Sequence, residues 1–380
     1  MTTNTIHAAA RPHPEWENLT GTAPFYLGAA WLRFIDSAGG AEPRYRVLVR
    51  DRHPVAALAA HWNPDESHPD YRAQEVLAEA GPPRLTLGGR RGYRSGLLHA
   101  PGAGPDSVTA DLAELLADAV EDEPRAEGRW WWPFLTTDES DLVLAAARRA
   151  RPSASLQLRL VGADCVMDVV GDGVDDFVAA LPAKQRRTNF RREQRRYADS
   201  GLRSRRLRLS QVWEEAAELH AQVQRKYGHD TSVEHLRGFL RRLADQLDDL
   251  SVVFAAYDGD RMIGFTLCFA IGGELTVRLN GLDYAHLADA DEYAQLTVHE
   301  PLRYCYENGL RRLHLGMDSY DAKCRRGARV RPLWAVVGED PAADTTSRRR
   351  LDELAAAMPE REAELLVAEV TARLTAPDAV

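Results

Sequence analysis

Three side chains in one short segment could do acyl or phosphoryl chemistry: Asp318, Tyr320 and Lys323. They follow an apolar run, Leu313-His314-Leu315, and a sharp exit at Gly316. A strand end that delivers a carboxylate, a phenol and an amine into one loop is a common place for chemistry in α/β enzymes. Lys323 could face an oxyanion or a substrate phosphate. Tyr320 could donate to a carbonyl oxygen or position an amine. Asp318 could hold an ammonium group and take its proton, or simply cap the next helical turn. The same residues could equally form a solvated connection between two core strands. There is no GxSxG and no coherent Cys/His pairing, which favours direct attack over a covalent intermediate.

The elements upstream supply further polar groups. The run 275–282 alternates as a strand and puts Arg278 and Asn280 two apart, hence on one face. Buried without partners they would be costly, so they are expected to face a substrate, with Tyr284 just past the strand end. The spacing then predicts a helix over 293–308. Tyr293, Gln295, His299 and Arg303 lie along it, with His299 and Arg303 at i, i+4. That polar stripe faces either a cleft or solvent.

Charge is uneven along the chain. The whole carries a formal charge of −9, yet eleven basic residues lie between Lys184 and Arg208 against only Glu193 and Asp199. Lys184 precedes a stripe of Arg187, Arg191 and Arg195 at helical spacing, a pattern that suits a phosphate backbone, a phosphorylated small molecule or a plain solvated face. Three consecutive tryptophans, Trp130 to Trp132, read as core packing rather than a base-stacking platform.

At 380 residues the chain exceeds one comfortable core. The expected organisation is a flexible tail over 1–20, a domain over 21–164, a second over 165–340 and a helical tail over 341–380. The second half reads as a mixed sheet with helices on both faces, and the first half repeats a shorter version of that rhythm. The four cysteines have no metal-site spacing, no signal peptide opens the chain, and no apolar run could span a membrane. The expectation is a cytoplasmic protein with reduced thiols and no metal.

The segments Asp258-Gly259-Asp260-Arg261-Met262-Ile263-Gly264-Phe265 and Leu313-His314-Leu315-Gly316-Met317-Asp318-Ser319-Tyr320-Asp321-Ala322-Lys323, with the basic segment 181–192, resemble the second half of FemAB-like proteins of the GNAT acyltransferase superfamily. The likeness covers 165–337 and extends weakly over 20–165. It implies an α/β fold of two tandem GNAT-like domains, each a mixed, mostly antiparallel sheet flanked by helices. It also implies transfer of an acyl or aminoacyl group to an amine of a small-molecule or cell-wall-type acceptor. Lys323 matches the family's Tyr-x-x-Lys-type position, and Tyr227 follows the helix that lines the acceptor side in this superfamily. Aminoacyl-tRNA and acyl-CoA are the two donors this leaves open, and tRNA would then be a partner. A catalytically silent binding protein is the alternative. One departure bears on the donor. Acetyl-CoA enzymes of the superfamily hold the pyrophosphate on an [RQ]xxGx[GA] loop. Residues 283–293 stand in that place with no glycine and four carboxylates, which repel a pyrophosphate.

Overall fold

The computed structural model describes residues 4–21, 23–79, 81–229, 231–339, 344 and 346–375. The chain divides into two compact units, Met1–Asp164 with Val330–Val380, and Cys165–Arg329.

The first unit is built on a mostly antiparallel sheet. Its strands run in the order Asn4–Ala9, Glu42–Arg50, His53–Trp62, Leu85–Leu87, Trp130–Leu135, Arg329–Gly338 and the first part of Leu156–Asp168. The step from Leu85–Leu87 to Trp130–Leu135 is a short parallel one, Leu85 opposite Trp130 and Thr86 opposite Trp131. The helix Thr137–Ala150 begins at a capping box in which Thr136 and Glu139 satisfy each other's backbone N–H groups. The three tryptophans are core: Trp131 and Trp132 are buried, with Trp16, Trp31 and Trp334 packed in the same unit.

Two expectations about the ends change. The residues described within 1–20 are ordered: Asn4–Ala9 pairs in register with Glu42–Arg50, and the buried Trp16 donates its indole N–H to the Leu27 carbonyl at 2.8 Å. The strand is exposed on both faces, so its sequence shows no hydrophobic alternation. At the other end, the strand Arg329–Gly338 was expected in the second domain, but it pairs with Trp130–Leu135 and groups with the first unit. The helices Ser347–Ala356 and Glu360–Thr375 group there too, and the Ser347 hydroxyl accepts from the Leu160 N–H at 2.8 Å. Residues 1–3, 340–343, 345 and 376–380 lie outside the described residues.

The second unit carries the strand order Arg203–Leu207, Ser251–Asp258, Arg261–Ile271, Glu274–Leu282, Arg312–Gly316 and the last residues of Leu156–Asp168. All steps are antiparallel except one: Glu274–Leu282 runs parallel to Arg312–Gly316. Helices Trp213–Lys226 and Val233–Leu247 connect the first two strands. The second is capped by Ser232, and it buries Leu236, Leu240, Leu243 and Leu247 at the spacing of one helical face. Val174–Ala180 and Lys184–Asp199 are separate helices, parted at Pro182.

Candidate functional site

The site grows from a sheet that stops pairing. The parallel ladder between Glu274–Leu282 and Arg312–Gly316 ends at Thr276 and His314, although the first strand continues to Leu282. On its other edge that strand has a bulge. Leu267 pairs with Leu279 and Cys268 with Val277, so Arg278 is the extra residue. The alternation expected to put Arg278 and Asn280 on one face is therefore interrupted at Arg278 itself. A bulge leaves no mark in a run of apolar and polar residues, which is why spacing alone misplaced the pair.

Beyond the end of the ladder the Asn280 carbonyl needs a donor, and His220 supplies it. The imidazole Nδ1–H donates to that carbonyl at 2.7 Å. This fixes the tautomer and leaves Nε2 as the lone-pair nitrogen, 3.3 Å from the Gln224 amide nitrogen. Burial lowers the pKa of His220; the bond to Asn280 opposes that, and the nearby Arg278 charge adds to it. The helix Trp213–Lys226 can lie this close because Gly281 has no side chain. A Cβ there would sit 2.7 Å from the His220 nitrogen and 2.4 Å from Phe265. His220 is the functional candidate that sequence reading missed. Its only signal was an imidazole in an otherwise amphipathic helix, and its partner lies sixty residues on.

Around this point the structure gathers some of the expected residues. Tyr293 lies near Ser319, in the turn before Tyr320, and Ser319, Arg326 and Tyr227 are all near enough to influence its phenol. Burial pushes its phenol up to about 12, only partly offset by Ser319 and Arg326, so it is a neutral donor at pH 7. Tyr227 is exposed, and Tyr284 carries the Lys226 ammonium 3.9 Å from its ring centroid. Asp318 and Ser319 both hold left-handed backbone, φ +64° and +48°, a strained pair for non-glycine residues. Asp318 is exposed at the tip of that turn, and Tyr320 is buried beneath it.

Other expected residues are placed differently. Lys323 does not stand open to a substrate: it is 5% exposed and donates to the Gly316 and Met317 carbonyls at 3.2 and 2.6 Å. Its ammonium shapes the strand end rather than meeting solvent. His299 and Arg303 do not form one stripe. The helix expected over 293–308 contains a π segment, Gln295–His299, which shifts the faces. His299 is buried edge-on against Phe190 at 4.3 Å and meets Glu193 at 3.1 Å. Burial lowers its pKa, while Glu193 opposes the shift. Arg303 pairs with Glu300 at 2.8 Å on the half-exposed side. Glu193, in the middle of the basic helix, also receives a two-pronged bond from Arg326, both at 3.0 Å. Its burial raises its pKa, but His299 and Arg326 outweigh that and hold it below the usual carboxylate range.

The basic helix Lys184–Asp199 keeps part of its charge free. Arg196 pairs with Asp291 at 3.0 Å, and Arg187 folds back on the Leu181 carbonyl at 2.5 Å. Lys184, Arg191 and Arg195 are exposed and make no ion pair among the described residues.

The loop after Leu282 completes the site. Glu292, 4% exposed, turns back into it and accepts the Ala288 N–H at 2.5 Å and the Ala290 N–H at 3.0 Å. Asp283 is buried and bound by Arg261 at 2.6 Å and His286 at 3.1 Å. These partners outweigh the upward push of burial and keep its pKa low. Backbone N–H groups that could cradle a phosphate are thus occupied by the protein's own carboxylate. Among the described residues no cluster of His, Cys, Asp or Glu could hold a metal ion, and no helix is long and apolar enough to cross a membrane.

Residues 184–324 match the family model described as an acetyltransferase (GNAT) domain. Solved structures similar to the whole chain extend this fold to both units. A tandem GNAT protein from the clavulanic acid biosynthesis pathway is 12% identical, with a TM-score of 0.50, over 90% of this chain and 100% of that one. FemX is 10% identical, with a TM-score of 0.55, over 80% of this chain and 90% of its own. A conserved protein of unknown function from Bacteroides thetaiotaomicron is 10% identical, with a TM-score of 0.54, over 84% and 91%. No curated protein matches the chain. The fold is therefore a tandem GNAT fold, mixed α/β with mostly antiparallel sheet flanked by helices.

Proposed function

We propose that the second unit transfers an acyl group to an amine by direct attack, and that its donor is an aminoacyl-tRNA rather than acyl-CoA. The observation that carries this reading is the Glu292 carboxylate bound to the Ala288 and Ala290 N–H groups. It fills with negative charge the loop where a CoA pyrophosphate would need those same donors. The exposed Lys184, Arg191 and Arg195 supply unpaired cations for a phosphate backbone instead. The acceptor is a small-molecule or cell-wall-type amine.

In this reading the substrates meet where Glu274–Leu282 and Arg312–Gly316 part. Asp318, exposed to solvent, holds the acceptor's ammonium, takes one of its protons and passes it to water, which leaves a free amine. The amine attacks the acyl carbon, and its proton passes to His220 Nε2, which burial keeps neutral. Tyr293 donates its phenolic O–H to the oxyanion. Collapse of the tetrahedral intermediate expels the donor's oxygen, which takes the proton back from His220. Lys323 acts through the strand end it braces and is a positioning residue. Arg278, Tyr284 and Tyr227 border the acceptor path.

Electrophoretic retardation of bulk tRNA by the full chain tests the donor. Retardation that disappears when Lys184, Arg191 and Arg195 are reversed to Glu is the expected result. The competing donor, acyl-CoA, is favoured by the acetyltransferase domain match. Micromolar binding of acetyl-CoA by calorimetry, with no tRNA retardation, would replace the tRNA reading with that one.

A further inference from the structure

The imidazole at the parting of the strands is not bare. In its neutral form His220 Nδ1 carries the proton and gives it to the Asn280 carbonyl at 2.7 Å, so Nε2 has only a lone pair to offer. The Gln224 amide nitrogen stands 3.3 Å from it. A lone pair needs a donor, so the amide presents an N–H there. Among the described residues this is the one hydrogen bond of the Gln224 side chain.

The helix builds this contact. His220 and Gln224 lie at i, i+4 on Trp213–Lys226, the spacing that brings one side chain over the other. The Gln224 backbone is fixed, because its carbonyl accepts the Tyr227 and His229 N–H groups at 3.1 and 2.9 Å and so closes the helix. Asn280 fixes the imidazole, and the absent side chain of Gly281 lets the helix press on the strand. Only the amide, turning about its last bond, can change what it shows to Nε2. Both side chains are half-buried, so the pair is open to a substrate.

The two ring states ask for different partners. Neutral His220 accepts at Nε2. Protonated, it donates from both nitrogens, and an N–H facing Nε2–H would set donor against donor. A half-turn of the amide puts its Oε1 there instead. A hydrogen bond from a charged donor is about twice as strong as a neutral one, so the turned amide holds the proton more firmly than the unturned amide resists it. Among the described residues no carboxylate acts on the ring in its place. The charge that reaches it from strand Glu274–Leu282 is Arg278, which opposes protonation. Strand Arg261–Ile271 brings apolar Phe265 to Gly281, and helix Val233–Leu247 brings Arg237, already paired with Glu218 and Glu234.

We propose that Gln224 is a positioning residue for acyl transfer, an amide that turns over with the proton on His220: N–H toward bare Nε2, carbonyl oxygen toward Nε2–H. This rests on His220 being the base of the reaction proposed above. As the amine arrives, Gln224 gives up Nε2. The C–N bond forms and the amine's proton moves to Nε2, where Gln224 Oε1 holds it. When the bond from the acyl carbon to the donor's oxygen breaks, that oxygen takes the proton, and the amide turns back.

The test is an NMR titration of the histidine ring nitrogens in the full chain. There are 12 histidines, and the spectrum of His220→Gln identifies the signal that belongs to His220. Gln224→Leu leaves the protonated ring without its acceptor and should lower the His220 pKa by about half to one pH unit, a loss of about three- to tenfold in proton affinity. The isosteric Gln224→Glu supplies a permanent acceptor and should raise it by about one unit or more. Shifts of opposite sign in the two variants separate this role from packing, which would move the melting curve alone. An unchanged or raised pKa in Gln224→Leu overturns the inference, and so does an unchanged or lowered one in Gln224→Glu. In acyl transfer, Gln224→Leu should lower kcat about tenfold with KM unchanged, and an unchanged kcat also overturns it. Failure of the underlying reading looks different: His220→Gln would keep near-parent turnover while both titration shifts stand.

Discussion

Both units use one device, a short parallel strand step followed by a loop, and treat the loop in opposite ways. After Leu85–Leu87 in the first unit come Gly88, Gly89, Arg90, Arg91 and Gly92, and the loop borders a cleft with two guanidiniums on one carboxylate. After Glu274–Leu282 in the second unit come carboxylates, and Glu292 closes the loop's own N–H groups. One loop brings guanidiniums to the strand end, held by Glu66. The other has supplied its own anion. The comparison teaches that a shared fold says where a ligand can sit, while loop charge says whether an anion is welcome there.

The difference can be broken first at its buried carboxylates. Glu193→Ala should cost about 3–5 kcal/mol in urea denaturation, because Arg326 and His299 lose a shared buried partner. Glu66→Ala removes the same kind of partner from Arg90 and Arg91. It should cost less than Glu193→Ala, because Asp36 still offsets part of the Arg90 charge. An equal loss in the two variants would erase the distinction between the units.

Chemistry comes next. His220→Gln should lower acyl transfer about 10²- to 10⁴-fold without unfolding the chain, the usual contribution of a positioned base. Turnover within about threefold of the parent would remove His220 from the mechanism. A smaller effect is expected from Glu292→Gln, which keeps one acceptor oxygen. It should cost about 1–2 kcal/mol and give the loop measurable affinity for inorganic pyrophosphate. A variant that stays blind to pyrophosphate would show that Glu292 is not what excludes it.

The smallest effect is on pH. His220 and His299 both have pKa values lowered by burial from 6.5, so they are neutral in the folded protein while the unfolded chain takes up protons. Stability should be level above pH 7 and fall as pH drops through 6.5 toward the folded values. Glu193, held low in the fold, adds its loss only below about 4.5. Melting temperatures measured in buffers between pH 5 and 8 check this. If His220→Gln and His299→Gln leave the slope between pH 7 and 5.5 unchanged, other groups carry it.

Much of this was legible in residue order. The strand over 275–282, the basic helix and the glycine-poor loop were visible because each depends on neighbours a few positions apart. The tryptophan run was rightly taken as core. What escaped was long-range. The edge strand Asn4–Ala9 carries no apolar face to announce it. The bulge at Arg278 and the π segment Gln295–His299 each shift a period that spacing assumes constant. His220 had no visible role until Asn280 came to lie beside it.

The sequence by itself determined which segments could be helix or strand, where positive charge collects and that the loop after Leu282 would repel a phosphate. Those properties are local: dihedral preference, periodicity and net charge need no partner from elsewhere in the chain. Tertiary structure alone decided that Lys323 braces two carbonyls, that Glu292 fills its own loop and that Arg90 and Arg91 meet on Glu66. The reason is desolvation. Once a polar group is buried, its state is set by the few atoms that reach it, and those atoms come from residues whose distance along the chain says nothing about their distance in space.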